Sequence, residues 1–352
     1  MNFQYWNRVL IGWYEQHRRE LPWRETSDPY LIWISEVILQ QTRIVQGLGY
    51  YFRFTERFPD VFVLAEAHED EVLKYWQGLG YYSRARNLHA TAKEIVERFN
   101  GVFPRNYEEL LSLKGIGEYT AAAICSLAWN QPYAVIDGNV YRVLARFFGI
   151  EEPIDSSRGK RQFVELAEKL LDKKQPGLYN QAIMDFGALQ CTPKSPDCDH
   201  CPFINQCFAF ISGKVNMLPV KKGKNKIKPR YFNYIDIHYQ GNRLLLQRIN
   251  KDIWQNLFEF PLIETDDFMD FSELQQTEIF QQLFKGIGNI KMIRQFIPKK
   301  HILSHRIIYT CFYKIEVDQL STQMQHYRLI PKSDVEKYAV SRLIQLYLET
   351  EK

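Results

Sequence analysis

Four of the chain's six cysteines fall within "CTPKSPDCDHCPFINQC" as Cys191, Cys198, Cys201 and Cys207, spaced C-x6-C-x2-C-x5-C. The intervening stretches are short and turn-rich, so four thiolates can converge on one centre. Such a set suits tetrahedral zinc and equally an iron–sulfur cluster; ligand chemistry alone leaves both open. Disulfides are disfavoured, because the N-terminal stretch lacks the apolar block and cleavage site of a signal peptide, and a reducing cytosol is the expected setting. Cys125 and Cys311 stand singly in apolar surroundings and read as inert core thiols.

Two carboxylates carry the other chemistry. Glu36 lies in "WISEVILQQT", a strongly apolar helical stretch. It points either to solvent or into a pocket; in a pocket, desolvation raises its pKa and makes it a general acid near neutrality. Asp137 heads the apolar-periodic stretch "VIDGNVYRVLAR", where a helix N-cap is the ordinary role of such a residue. Between the two lies "LLSLKGIGEYTAAAI". Gly115 and Gly117 there allow a tight turn whose exposed N–H groups and following helix N-terminus suit a phosphate. A plain helix–helix turn fits the same residues.

The elements that position these groups are mostly helical up to about residue 212. "DPYLIWISEVILQQT" opens with Asp28 as N-cap and Pro29 at the first helical position. "RGKRQFVELAEKLLDKK" is amphipathic, and "NQAIMDFGALQC" leads a further helix into the cysteines. "KKGKNKIKPR" is a basic linker. Beyond it, "YFNYIDIHYQGNRLLLQRI" reads as two strands about Gly241, and "KMIRQFIP" and "RIIYTCFYKIEV" as two more. Helices are expected in "SELQQTEIFQQLF" and in "SDVEKYAVSRLIQLYLET", the latter opened by a Ser333/Glu336 capping box. At 352 residues the chain accommodates two domains, and its net charge of +4 permits a polyanionic partner without demanding one. No apolar run is long enough for a membrane span.

The cysteine spacing, "LKGIGEYTA" and "VIDGNVYRVLAR" resemble the cluster loop, the helix-hairpin-helix motif and the catalytic segment of the endonuclease III superfamily of DNA glycosylases. "SEVILQQT" resembles one branch, the MutY-type adenine DNA glycosylases. "DIWQNLFEFP" and "HILSHR" resemble the Nudix-like domain of that branch. The resemblance implies an all-α helix-hairpin-helix domain over 1–212, with hairpin 110–125 and cluster loop 191–207. A linker at 213–230 and an α+β Nudix-like domain at 231–352 would follow. No glutamate-rich helix of the REXXEE kind occurs between Arg230 and Lys352, so phosphohydrolase activity is not expected.

The resemblance also implies roles. Glu36 protonates adenine and then helps to activate water; Asp137 stays ionised beside the sugar cation, as paired carboxylates do in glycoside hydrolysis. Tyr119 and Asn139 order the site. Trp23, Arg24 and Gln181 line the adenine pocket, and Gln41 and Tyr81 are wedge residues. Gly115 and Gly117 hold the DNA backbone, and Ser304 and His305 sense 8-oxoguanine. The family commonly has Phe-Ser-His at the last site; this chain has Leu303-Ser304-His305, which keeps the hydrogen-bonding pair without the aromatic. Cys191, Cys198, Cys201 and Cys207 hold a [4Fe–4S] cluster. Bifunctional relatives carry a Schiff-base lysine where this chain has Tyr119, so base excision without strand cleavage is expected. The substrate would be duplex DNA containing adenine opposite 8-oxoguanine or guanine, and the protein a cytoplasmic, nucleoid-associated monomer. Two other readings are an endonuclease III-like enzyme acting on oxidised pyrimidines and a non-catalytic DNA-binding protein. Tyr119 and the second domain oppose the first; the presence of both Glu36 and Asp137 opposes the second.

Overall fold

A computed structural model describes residues 3–223, 228–303 and 306–351. The chain divides into two compact units, Met1–Glu66 with Asn87–Gly223, and Ala67–Arg86 with Lys224–Lys352. No helix among the described residues is long and apolar enough to cross a membrane.

The first unit is helical. It contains α1 (Phe3–His17), α2 (Pro29–Leu39), α3 (Ile44–Arg57) and α4 (Val61–Glu66). α5 (Glu69–Trp76) belongs to the second unit, and α6 (Ser83–Phe99) leads back into the first. Then come α7 (Tyr107–Ser112), α8 (Glu118–Trp129), α9 (Gly138–Phe148), α10 (Ser157–Leu170), α11 (Pro176–Asp185) and the short α12 (Phe208–Ile211). The local signals explain the starts. Asp28 caps α2 by accepting from Tyr30 N, with Pro29 following. Asp137 caps α9, and Gly149 ends it in the left-handed region at φ +70°. One core gathers Trp6 and Leu10 of α1, Ala122 and Ala123 of α8, Val143 and Leu144 of α9, and Phe163 of α10. Phe203, between the third and fourth clustered cysteines, inserts into it and stacks on Trp6 with ring centroids 4.4 Å apart. The cysteine loop is thereby fixed to the helical core.

α11 does not continue regularly toward the cysteines. Phe186–Gln190 forms a π-helical turn, and Cys191 N donates to Phe186 O at its close.

The second unit is built on a mixed sheet of β1 (Lys228–Tyr239), β2 (Asn242–Gln247), β3 (Phe258–Glu259), β4 (Leu262–Thr265), β5 (Ile290–Ile302), β6 (Arg306–Val317) and β7 (Arg328–Pro331). The order is β3-β2-β1-β6-β5, with β4 paired to β1 and β7 to β2. Only β1 and β6 run parallel among these pairs. Apolar clusters cover the two sheet faces, one including Phe232, Phe312 and Tyr347, the other Ile235, Phe280 and Ile315.

Three expectations change here. β1 begins at Lys228, so it takes up the end of the basic stretch read as linker. The single helix expected over "SELQQTEIFQQLF" is two, α13 (Phe271–Gln275) and α14 (Glu278–Leu283), because Thr277 accepts from Phe280 N and starts a new helix. The last helix, α15 (Arg342–Glu349), is capped by Ser341; Ser333 instead donates to Asp334, within a 3-10 segment over Lys332–Lys337.

Candidate active site

A cavity of about 670 Å³ in the first unit is lined by Trp23, Arg24, Glu36, Gln41, Tyr119, Asp137, Asn139 and Gln181. Eight residues singled out from separated stretches of sequence therefore share one site.

Glu36 leaves the interior face of α2, between buried Ser35 and Val37. It is 7% exposed and accepts a hydrogen bond from Tyr119 Oη at 2.7 Å. Burial pushes its carboxyl up to about 7, and nearby Asp137 pushes the same way, while the Tyr119 bond and Arg24 pull down. Tyr119, on the second helix of the hairpin, also approaches Met184 Sδ at 3.5 Å.

Asp137 is both a cap and a cavity residue. One carboxylate oxygen accepts from Asn139 N and Val140 N at 2.8 Å each, and the other from Asn139 Nδ2 at 2.7 Å. Burial raises its pKa; those three donors and Arg142 oppose the rise. They and the α9 N-terminus all favour the carboxylate. Asn139 is held in turn by Arg142, whose Nη2 donates to Asn139 Oδ1 at 2.8 Å. Arg142 further donates to Gly187 O at 2.5 Å and to Cys191 O at 2.7 Å. Two acids thus face one space under different conditions: Glu36 is desolvated, and Asp137 is wrapped in donors. That pairing can protonate a leaving group and face a developing cation.

Arg24 sits on a 3-10 turn over Pro22–Arg24 that also carries buried Trp23. Gln181, on α11, accepts from Tyr14 Oη at 2.7 Å. Gln41 follows α2 with φ +58°, in the left-handed region, and lies exposed at the cavity rim.

In the hairpin, Gly115 has φ +80°, and a Cβ there would lie 2.7 Å from Asn87 Cβ, so glycine is required on both grounds. Gly117 is the N-cap of α8 and provides no side-chain cap, which leaves the first N–H groups of that helix uncovered. Gly115 and Gly117 are exposed and Ile116 is buried.

Tyr81 belongs to the second unit. It is 47% exposed at φ +47°, after Gly78 and Gly80 at φ +100° and +77°. The turn is tied down: Val340 N donates to Gln77 Oε1 at 3.3 Å, and the Arg84 guanidinium lies 5.8 Å from the Tyr81 ring centroid. Ser304 and His305 lie outside the described residues.

Cys191, Cys198, Cys201 and Cys207 line a separate small cavity, none of them in a disulfide. Arg146, 3% exposed, donates toward Cys191 Sγ at 3.4 Å and to Thr192 O at 2.7 Å. The Phe203 N–H serves Cys201, and the Ala209 and Phe210 N–H groups serve Cys207. Burial pushes the Cys201 thiol up to about 12. Four half-buried cysteines around one small cavity, with N–H donors at Cys201 and Cys207 and the buried Arg146 at Cys191, fit a metal centre bound through thiolates.

Sequence reading missed Arg19, Arg142 and Asp185. Arg142 had a usable signal, a cation on an otherwise apolar-periodic helix face. Asp185 had none, because its partners are 161 and 166 residues away in the chain.

Comparison with known proteins places this geometry. The family model described as HhH-GPD superfamily base excision DNA repair protein matches residues 34–169, and a NUDIX domain model matches 234–350. A solved thermostable thymine-DNA glycosylase superposes with TM-score 0.56 at 29% identity, covering 60% of this chain and 97% of that one. Fold and site therefore define a helix-hairpin-helix DNA glycosylase with a Nudix-like domain appended. An adenine DNA glycosylase of Buchnera aphidicola subsp. Baizongia pistaciae is 35% identical over 304 residues, 86% of this chain and 83% of its own. One from Rattus norvegicus is 43% identical over 224 residues, 60% of this chain and 43% of the rat protein. The chain belongs to the adenine DNA glycosylase family, enzymes of base excision repair that hydrolyse N-glycosyl bonds.

Proposed function

We propose that the enzyme flips adenine out of duplex DNA where it is mispaired with 8-oxoguanine or guanine, and excises it without cutting the strand. The observation that carries the chemistry is Glu36, buried and bonded to Tyr119 at 2.7 Å, in one cavity with Asp137. A flipped adenine is received by Trp23, Arg24 and Gln181. Glu36 gives its proton to adenine, at N7, and the C1′–N9 bond breaks with its electron pair leaving on the base. The sugar becomes oxocarbenium-like, and the Asp137 carboxylate stabilises it directly or as a covalent adduct. Water adds at C1′ and its proton returns to Glu36, so the acid is regenerated. Tyr119 and Asn139 hold the two carboxyl groups in place. Gln41 and Tyr81 fill the stack near the lesion, and the Gly115–Gly117 turn grips the backbone. Ser304 and His305 sense the oxidised base in the second domain.

Cys191, Cys198, Cys201 and Cys207 hold a [4Fe–4S] cluster. All four thiolates serve as ligands, and the cluster, when bound, fixes the loops between them and presents Lys194 to phosphate. A brown protein with visible absorbance and four irons is expected; a colourless, zinc-loaded one contradicts this assignment. The catalytic assignment is tested with Asp137→Asn on an adenine:8-oxoguanine duplex under single-turnover conditions. Excision should fall by at least about a hundredfold with duplex binding retained. Excision at the parent rate would leave only a binding role.

A further inference from the structure

Asp185 is fully buried and ends α11 beside the cavity. It takes two guanidinium groups at once. Arg24 Nη1 and Nη2 donate to its two oxygens at 2.6 and 2.7 Å, and Arg19 donates through Nε at 3.0 Å, through Nη2 and through its backbone N at 3.4 Å. Arg24 Nη1 also reaches Arg19 O at 3.1 Å. Two cations share one carboxylate, so the cluster keeps one net positive charge. Both arginines line the same cavity as Glu36.

We propose that Asp185 is a positioning residue that holds Arg19 and Arg24 at the base-binding end of the cavity and, by cancelling one of their charges, preserves Glu36 as a proton donor. The inference rests on the assignment of Glu36 as general acid. The groups that face Glu36 are Tyr119 from α8, Asp137 from the head of α9 and Arg24 from the 3-10 turn, with Arg19, Arg43 and Arg142 on the same cavity wall. The arginines favour ionised Glu36, which cannot donate; Asp137 opposes them. Without Asp185, the cavity lining carries one more uncompensated positive charge near the buried Glu36 carboxyl.

The test is the pH profile of single-turnover adenine excision. Its alkaline limb reports loss of the Glu36 proton, near pH 7 in the parent. Asp185→Asn keeps the shape of the side chain and removes its charge. The limb should move down by about one pH unit, which lowers the rate at pH 7.5 by about eightfold and leaves much less difference at pH 5.5. Arg19→Gln removes a partly exposed cation and should move the limb the other way. This second variant carries the test if Asp185→Asn fails to fold. The double variant restores one net charge and should return the limb toward the parent position. Limbs that do not move, or that move in the same direction in both single variants, would mean that Asp185 only braces the structure and would overturn the proposal. Undiminished excision by Glu36→Gln would remove the general acid itself, and this inference with it.

Discussion

Glu36 is held where a carboxylate is expensive to keep. Its ordinary value of 4.5 rises to about 7, mainly through burial. The sign of the linkage follows. A carboxyl raised in the folded state stabilises it in full below pH 4.5, and that contribution is lost as pH rises through 7. At about 1.4 kcal/mol per unit, ionised Glu36 costs about 3 kcal/mol above neutrality. Glu36→Gln should therefore unfold at a higher temperature than the parent at pH 8, with the gap closing near pH 4.5. It should also lose nearly all excision. Equal melting temperatures at both pH values would contradict a desolvated acid. The same titration predicts that excision by the parent falls tenfold per unit well above pH 7. Tyr119 leads to a different measurement. With no lysine at that position, borohydride should trap no covalent enzyme–DNA adduct; a strong adduct would show lyase chemistry.

At the scale of elements, α9 and the π-helical turn after α11 do most of the arranging. Asp137, Asn139, Arg142 and Arg146 lie along α9, and the two arginines tie it to Gly187, Cys191 and Thr192. A Cβ at Gly187 would fall 2.7 Å from Asn139 Cβ and 2.9 Å from Asn139 O. Gly187→Ala should thus push Asn139 away from Asp137, costing about 1–3 kcal/mol of stability and at least about tenfold in excision. Single-turnover rates and thermal melts would check it. If the turn holds the DNA backbone as proposed, Gly115→Ala should instead weaken duplex binding more than the rate for bound substrate. Binding titrations against single-turnover rates separate the two effects.

Much of this was legible in sequence because caps, glycines and cysteines are local signals. Asp28, Asp137 and the four cysteines could be placed from their immediate neighbours. At Asp137 the local pattern supports only the cap, and the catalytic reading comes from the family resemblance, because a cap and a carboxylate facing a cavity look alike along the chain. The π-helical turn has no local mark in the sequence; its Gly187 packs closely against Asn139, which is distant along the chain. The break at Thr277 and the late start of α15 at Arg342 show local caps overriding a continuous helical period.

At the scale of the whole molecule, a helical unit that holds the acids is followed by a Nudix-like sheet domain that brings no glutamate-rich metal-binding helix. Of the residues proposed to read the lesion, Tyr81 belongs to the second unit, and Ser304 and His305 fall in the "HILSHR" stretch of the same unit's sequence. Choice of lesion and breakage of the bond are thus assigned to different parts of one chain. The most direct test is single-turnover adenine excision on duplexes that differ only in the base opposite adenine. Excision should be fastest opposite 8-oxoguanine, slower opposite guanine and slowest opposite thymine. Equal rates on all three duplexes would contradict recognition of the mispair.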